Sequence, residues 1–306
     1  MPVDPSSPTA LDARQIRRRF VRAAGASASA DEPNVLVAEV RCRMLERLEY
    51  VRLEPRLVVD AGCGAGEALP MLAARFDGTR AVGFDVAVPL LARAVHAGEQ
   101  RWLPQWLARW QRAAYQVAAA AADRLPLGDG VADCVWSNLA LHRHADPAAV
   151  LAEWHRVLRA EGLVQFSTLG PDTLKELRAS SRAAGEDRVH RFIDMHDIGD
   201  MLVHAGFADP VMDMEEITLT YRDLDGLLGD LRAAGATNAS ASRQRGLTGR
   251  AAFARLRAEY ERLRRDGVLP ATFEIVYGHA WKPRPTPGRA RDGIAVIRPG
   301  EIGRRR

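Results

Sequence analysis

The sequence predicts a doubly wound α/β fold with a mostly parallel sheet, and three observations support this prediction. Short apolar runs rich in β-branched residues alternate with longer segments whose apolar residues recur at helical spacing. The first run passes directly into a glycine-rich turn, "VVDAGCGAGE" (58–67), and the next, "AVGFDVA" (81–87), carries an acidic residue where the strand should end. Alternation of this kind is typical of a parallel sheet whose ligands bind outside the carboxyl ends of the strands.

The first half of the chain supplies most of this sheet. We predict strands at 57–60, 81–87, 116–123, 132–139 and 162–170, and helices at 12–25, 34–50, 67–76, 89–98 and 147–162. The strand segments are too short and too rich in β-branched residues for helices, whereas the helical segments repeat their apolar residues every three or four positions. We expect the last helix to end at Gly162, because glycine commonly follows the final helical turn.

Beyond Gly170 the pattern changes. Helical spacing predicts helices at 171–185, 194–207, 223–235 and 249–267, and near-alternation of β-branched and aromatic residues predicts closing strands at 210–221 and 271–281. The segment after 283 is rich in proline and glycine, and we expect it to be loosely ordered. The predicted organisation is an N-terminal helical cap (1–55), a ligand-binding core (56–170), closing strands with inserted substrate-side helices (171–283) and a basic tail (284–306).

Composition narrows the class of protein. At 306 residues and 47% hydrophobic content, the chain can bury one large core or a core with a subdomain. The first residues, "MPVDPSSPTALDARQ", contain no apolar segment, and no run of about 18 apolar residues occurs, so we expect a cytoplasmic protein without a membrane span. Three isolated cysteines indicate reduced thiols and no metal site.

Arginine carries nearly all of the positive charge. The net charge is +4, and Lys175 and Lys282 are the only lysines. Clusters of arginine occur at 14–22, 243–250 and 262–265 and at the end of the chain. Such a cluster is most often a solvated helix face. The sharper interpretation is an acidic protein partner, which is favoured over nucleic acid because no aromatic-rich recognition motif or zinc-finger spacing accompanies the clusters.

The glycine turn is the strongest indication of a ligand. Gly62, Gly64 and Gly66 remove the Cβ atoms that would keep a ligand from the main chain. Their G-x-G-x-G spacing differs from the G-x-G-x-x-G fingerprint, in which a helix N-terminus receives a pyrophosphate. Asp60, directly before the turn, would repel a pyrophosphate but suits an amino group and a sulfonium charge. The turn therefore favours S-adenosylmethionine over NAD.

"VVDAGCGAGE" followed by "VGFDVA" resembles the class I S-adenosylmethionine-dependent methyltransferases. The resemblance implies a Rossmann-like doubly wound sheet with one antiparallel strand. It also implies that Asp85 binds the ribose hydroxyls, that Asp123 faces the adenine amino group, and that Asn138 lines the reactive end of the cofactor. The full set of implied cofactor-binding residues is Asp60, Gly62, Gly64, Gly66, Asp85, Val86, Asp123, Arg124 and Asn138.

A narrower resemblance covers nearly the whole chain. "RRRFVRAA", "WSNLAL", "FSTLGPDTLKELR", "HRFIDMHDIGDMLVHAGFADPVMDME" and "LPATFEIVYGHAW" resemble segments of the malonyl-acyl-carrier-protein O-methyltransferases of the biotin pathway, the BioC family. This resemblance implies methylation of the free carboxylate of a malonyl group carried on acyl carrier protein. Because that partner is acidic, we expect arginines at its docking surface. The candidates are Arg17, Arg18, Arg19, Arg22, Arg243, Arg245 and Arg250.

Methyl transfer to a carboxylate needs alignment and desolvation more than a base, because the nucleophile is already ionised. A cation is still needed to orient the carboxylate. The candidates are His142 and Arg143 after the fourth strand, and His190 and Arg191 in "VHRFIDMH". Arg191 is the first choice, because a planar guanidinium can bind a carboxylate through two hydrogen bonds.

Three features depart from the BioC pattern. "FVRAAGASASADE" lacks the tyrosine of the usual F-x-R-A-A-x-x-Y-D segment, and "LHRH" (141–144) replaces the common "LQW". The C-terminal tail resembles that of related proteins associated with respiratory complex I assembly, which are thought to hydroxylate an arginine. Three alternatives therefore stay open: a methyltransferase for another small carboxylate, a paralogue that modifies or helps assemble another protein, and a scaffold that binds the cofactor without catalysis.

Overall fold

The computed structural model describes residues 11–26, 34–76, 78–99, 115–241, 243, 246 and 249–284. Seven strands within this part of the chain form one sheet. They are β1 (Leu57–Ala61), β2 (Arg80–Asp85), β3 (Tyr115–Ala119), β4 (Ala132–Ser137), β5 (Leu158–Leu169), β6 (Ala208–Tyr221) and β7 (Leu269–Trp281). Their order is β3-β2-β1-β4-β5-β7-β6, and β7 runs antiparallel to both of its neighbours. The predicted Rossmann-like sheet, mostly parallel with one antiparallel strand, is confirmed.

The described part of the chain contains nine α-helices. They are α1 (Ala13–Ala26), α2 (Val35–Leu48), α3 (Leu69–Arg75), α4 (Val88–Glu99), α5 (Pro147–Val157), α6 (Lys175–Ala183), α7 (Met195–His204), α8 (Leu224–Ala233) and α9 (Arg250–Glu261). Two apolar clusters form the core. Consecutive strand residues point to opposite faces of a sheet, so Val135 and Trp136 of β4 belong to different clusters.

Helices α2, α5, α7 and α8 each begin at a side chain that accepts a hydrogen bond from a free N–H group of the first turn, as α1 does at Asp12. Such caps stabilise a helix start because these N–H groups have no partner within the helix. The capping residues are Asn34 for α2, Asp146 for α5, Asp194 for α7 and Asp223 for α8. Each cap stands at or within a few residues of the helix start that the sequence pattern predicts.

Helix α5 ends earlier than predicted. The expected end was Gly162, but the helix ends at Val157 and the chain continues as β5. The segment is held extended by pairing with the residue that follows β7. The backbone N–H of Glu161 donates to the carbonyl of Lys282 at 2.7 Å. The Lys282 ammonium donates to the carbonyl of His155 in the last turn of α5 at 2.8 Å. Long-range pairing therefore overrides the local helix-stop signal.

The strand order reverses between β1 and β4, and the glycine turn follows β1 at this point. In open α/β sheets, ligands bind at such a reversal, outside the carboxyl ends of the strands. The predicted tail beyond Arg284, and Arg245 of one basic cluster, lie outside the described residues. In the part of the chain that is described, no helix has both the length and the apolar content required to cross a membrane.

Candidate functional site

The turn after β1 adopts backbone conformations that favour glycine. Gly62, Gly64 and Gly66 have φ angles of 88°, 55° and 73°, in the left-handed region that side chains disfavour. The N–H groups of Gly62 and Cys63 both donate to the carbonyl of Phe84, at 2.7 and 3.0 Å. These hydrogen bonds fasten the turn to the end of β2, so the predicted loop and the predicted acidic residue lie side by side.

The glycines differ in the space around them. A Cβ atom at Gly62 would lie well inside van der Waals contact with the Cβ of Ala140, which follows β4. At Gly64, the nearest atom to such a Cβ would be Cδ1 of Leu90, at 4.0 Å. Gly62 therefore serves the packing of the protein, whereas the open side of Gly64 is available to a ligand.

Two buried carboxyl groups adjoin the turn. Asp60 and Asp85 are only 2% and 5% exposed. Asp85 accepts hydrogen bonds from the backbone N–H groups of Gly64 at 3.0 Å and Ala87 at 2.7 Å. Burial, and then the charge of Asp85, raise the pKa of Asp60 to about 8. The pair, here called the acidic floor, would be stabilised by a cationic ligand.

Arg41 of α2 also acts on the acidic floor. Its charge opposes the rise in the pKa of Asp60, and it forms an ion pair with Glu67 in the glycine turn. Its buried Nε–H group has no hydrogen-bond partner among the described residues. Sequence reasoning missed Arg41, because nothing in the pattern of α2 shows which residue of the helix faces the turn.

The remaining implied cofactor residues have different surroundings. Val86 is half-buried beside Asp85, whereas Asp123 and Arg124 are exposed. The charge of Asp123 partly offsets the lowering of the pKa of His144 by burial, so it acts on the segment after β4. The structure thus brings residues that follow three different strands to one edge of the sheet.

Asn138 fastens α2 to the sheet. Its amide Nδ2 donates to the carbonyl of Val37 at 3.0 Å, and its Oδ1 accepts from the hydroxyl of Ser167 at 2.9 Å. The same hydroxyl accepts from the N–H of Leu139 at 2.9 Å. Both ends of the Asn138 amide are therefore engaged within the protein, and the residue holds α2 against the end of β4.

A cavity of about 330 Å³ lies at the same edge of the sheet. Its walls come from α1, from the segment after β4, from 186–192 and from the residues around the end of α8. Aromatic and aliphatic side chains make up much of the wall, among them Phe20, Leu177 and Phe192. A cavity of this kind can exclude water from most of a small apolar ligand while admitting a few polar contacts.

Arg143 stands between the acidic floor and the cavity. It lines the cavity, and its guanidinium carbon lies 4.4 Å from the centroid of the Phe20 ring. Burial lowers the pKa of Arg143, and the charge of Asp85 opposes this shift. No carboxylate within the described ranges forms an ion pair with it. Arg143 is therefore a cation that can receive an anionic ligand.

The two predicted histidines also line the cavity, and both contact Phe192. His142 meets that ring edge-on at 6.0 Å, and His190 lies 4.6 Å from it. Burial lowers the pKa of His142 well below its ordinary value and lowers that of His190 to about 4. Both imidazoles are neutral near pH 7, so neither supplies the cation that we expected there. Nδ1 of His142 is buried without a hydrogen-bond partner among the residues described.

We expected Arg191 to be the cation that orients the substrate carboxylate, which requires a position in the binding cavity. The structure places Arg191 elsewhere. Its side chain is exposed, and it is not among the residues that line the cavity. The neighbouring His190 faces the cavity instead. The structure thus brings His142, Arg143 and His190 together and leaves Arg191 outside the group.

Comparisons with known proteins agree with this geometry. Residues 59–166 match a family described as a methyltransferase domain. The malonyl-[acyl-carrier protein] O-methyltransferase of Gallionella capsiferriformans is 49% identical, over 94% of this chain and 96% of its own length. The protein of the same name from Laribacter hongkongensis is 49% identical, over 92% and 93%.

A solved structure supports the fold independently. The YcgJ protein of Bacillus subtilis superposes with a TM-score of 0.53 over 81% of this chain and all of its own, at 15% identity. This likeness concerns the architecture alone. With the methyltransferase domain and with close relatives that match nearly end to end, the chain belongs to the malonyl-[acyl-carrier protein] O-methyltransferase family of methyltransferases.

Proposed function

We propose that this protein transfers the methyl group of S-adenosylmethionine to the free carboxylate of a malonyl group carried by acyl carrier protein. The names of relatives that match nearly end to end support this substrate. The resemblance to the BioC family supports a role for this reaction in biotin synthesis. Three parts of the site take part in the proposed reaction: the acidic floor, the cavity, and Arg143 between them.

The residues around the glycine turn fit S-adenosylmethionine. The open side of Gly64 leaves room for a ligand against the main chain. The acidic floor matches the amino group and the sulfonium, because a nearby positive charge stabilises the ionised form of Asp60. We assign Asp85 to the ribose hydroxyls and Arg41, with its unpartnered buried N–H, to the cofactor carboxylate. When bound, the cofactor supplies an electrophilic methyl group on sulfur.

The reaction is an in-line displacement. An oxygen of the malonyl carboxylate forms the new bond to the methyl carbon, the bond between methyl carbon and sulfur breaks, and its electron pair remains on sulfur. No proton changes place, so the protein needs no general base. The task of the chain is to hold the carboxylate in line and to exclude water from it.

Arg143 performs the first task in this proposal. Its planar guanidinium can donate two parallel hydrogen bonds to a carboxylate, and the Phe20 ring limits its movement. Neutral His142 offers a ring nitrogen as a further hydrogen-bonding group. The apolar wall of the cavity performs the second task. The observation that carries the proposal is that Arg143 lines the cavity while its charge interacts with Asp85.

Intact-mass spectrometry of the carrier protein tests this function directly. We expect malonyl-acyl carrier protein incubated with this protein and S-adenosylmethionine to gain the mass of one CH2 unit, the difference between a carboxylic acid and its methyl ester. Acetyl-acyl carrier protein, which has no free carboxylate, is the matched control and should stay unchanged. Succinyl-acyl carrier protein measures how strictly the cavity limits the acyl group. Absence of methylation of the malonyl form, with cofactor binding intact, would contradict the proposal.

A further inference from the structure

The N-terminal helix α1 has two faces that differ in their surroundings. On the inner face, Ile16, Arg19 and Phe20 line the cavity, and the Arg19 guanidinium donates to the carbonyl of Asn238. On the outer face, four arginines are exposed. We call this group the basic stripe: Arg14, Arg17, Arg18 and Arg22.

Within the part of the chain that the structure describes, the charge of the basic stripe is not compensated by an ion pair. Helix α1 contains no acidic residue, and Arg14 stands in its first turn, where the helix dipole disfavours a positive charge. Arg14 and Arg18, and again Arg18 and Arg22, are four positions apart, where like charges repel. Within the described ranges, no carboxylate forms an ion pair with any of the four.

Several arginines elsewhere on the protein are paired with carboxylates, unlike those of the basic stripe. On α9, Arg257 forms an ion pair with Asp225 of α8 at 2.7 Å, and just beyond α9 Arg264 pairs with Glu261. Arg156 of α5 similarly pairs with Asp129 at 2.6 Å. The basic stripe differs from these arginines in two ways: within the described ranges its four members are unpaired, and the helix that carries them also forms a wall of the cavity.

We propose that the basic stripe is the docking surface for the acidic carrier protein that delivers the acyl group, a proposal that rests on the proposed function. A carrier protein bound on the outer face of α1 stands directly beside the cavity lined by the inner face. The thioester-bearing arm then has a short path to Arg143. Charge complementarity of this kind mainly accelerates association.

The structure also separates the arginines predicted as docking candidates into those engaged within the protein and those exposed on its surface. Arg19 is turned toward the cavity, and Arg243 forms an ion pair with Asp12 at 3.2 Å. Neither is a free surface charge. Arg250 is exposed at the start of α9, and Arg245 lies outside the residues described. The docking surface that we propose therefore consists of the outer face of α1.

A pair of charge-reversal variants tests the proposal. Arg14→Glu combined with Arg18→Glu reverses two charges of the basic stripe. Arg52→Glu combined with Arg80→Glu makes the same change in net charge at two exposed arginines, and Arg80 begins β2 at the opposite edge of the sheet. Each protein is assayed on malonyl-acyl carrier protein and on malonyl-pantetheine, a thioester that lacks the carrier.

We expect the Arg14 and Arg18 variant to lose about tenfold or more in kcat/KM on malonyl-acyl carrier protein and to keep its activity on malonyl-pantetheine. The Arg52 and Arg80 control should stay within about twofold on both. Added salt should lower kcat/KM of the wild-type protein on the carrier-borne substrate, and this dependence should weaken in the stripe variant.

Three outcomes would overturn the docking surface. Equal losses of kcat/KM on malonyl-acyl carrier protein in the stripe variant and in the control would mean that only the net charge of the protein affects docking. A loss on both substrates in the stripe variant would mean that α1 acts through the cavity and not through docking. If kcat/KM on malonyl-acyl carrier protein changed neither in the stripe variant nor with added salt, the basic stripe would be excluded as the docking surface. If the wild-type protein methylates neither thioester, the proposed function itself fails, which is a separate result.

Discussion

Asp60 and Asp85, at the carboxyl ends of the paired strands β1 and β2, share a buried site in which the pKa of Asp60 is raised to about 8. Burial is the larger cause, and the charge of Asp85 is the second. Near neutral pH the ligand-free protein therefore holds a proton on Asp60. Binding of a cation favours the ionised carboxylate and releases this proton, so ligand binding and pH are linked.

The first prediction concerns stability and pH. The Asp60 carboxyl titrates near pH 4 in the unfolded chain and near pH 8 in the folded protein, so the folded state binds more protons between these values. The contribution of Asp60 to stability therefore falls as the pH rises through this window. Asp60→Asn removes the titration. We expect the free energy of unfolding of the variant, relative to wild type, to increase from pH 5 to pH 8 in urea titrations. A pH-independent difference would contradict the shared site.

The second prediction concerns cofactor affinity and pH. Because binding favours ionised Asp60, the advantage of wild type over Asp60→Asn in S-adenosylmethionine affinity should grow by about tenfold between pH 6.5 and pH 8.5. Calorimetry on both proteins gives the ratio of their dissociation constants. The titration of the cofactor's own amino group affects both constants equally and therefore does not change this ratio. A constant ratio would remove Asp60 from the cofactor site.

The third prediction assigns Asp85 to the cofactor. Asp85→Ala removes the acceptor that we assign to the ribose hydroxyls and also leaves the N–H groups of Gly64 and Ala87 without this partner. The affinity for S-adenosylmethionine should fall by an amount on the order of 1 to 3 kcal/mol. Asp200→Ala, at an exposed position of α7, is the matched control and should bind as wild type does. Unchanged affinity in the Asp85 variant would overturn the site.

The fourth prediction separates packing from ligand binding in the glycine turn. Alanine at Gly62 clashes with Ala140 in addition to straining the backbone, whereas alanine at Gly64 or Gly78 meets only the backbone strain of a positive φ. Thermal unfolding should show a loss of about 1 to 2 kcal/mol for the latter two and a larger loss for Gly62→Ala. Among the two milder variants, only Gly64→Ala should weaken cofactor binding. Equal cofactor affinity in Gly64→Ala and Gly78→Ala would show that the ligand does not lie on the turn.

The fifth prediction distinguishes the two arginines considered for the substrate carboxylate. Arg143→Met should lower kcat/KM on the malonyl substrate by about ten- to a hundredfold, because a charge-assisted hydrogen bond contributes about 1.5 to 3 kcal/mol. Its affinity for S-adenosylmethionine should not decrease, because a positive charge acting on Asp85 is removed. Arg191→Met, at an exposed position outside the cavity, should stay within about threefold of wild type. The reverse ranking would restore Arg191 as the substrate cation.

Much of the region around the glycine turn was predictable because its residues lie in short segments. Asp60 and the three glycines occupy one stretch of seven residues, 60–66, and Asp85 ends the following strand. Parallel strands bring their carboxyl ends to one edge, so the order of elements alone places these residues together. Arg41 was not predictable in the same way, because its role depends on how α2 is rotated over the sheet.

The substrate side depended on contacts that no local pattern records. Both Arg143 and Arg191 follow a histidine in the chain, but only Arg143 lines the cavity. His142 and His190 reach the cavity as neutral groups, because their surroundings exclude water. The early end of α5 likewise follows from pairing with Lys282, more than a hundred residues away along the chain.

The sequence by itself determined the alternation of strands and helices, the conformation of the glycine turn and the acidic residues at the strand ends, because these depend on local backbone preferences and on side-chain periodicity. The tertiary structure alone decided which arginine lines the cavity, which imidazoles are neutral and which face of α1 remains exposed. Those properties arise from burial and from charges brought together by packing, and burial depends on segments distant in the chain.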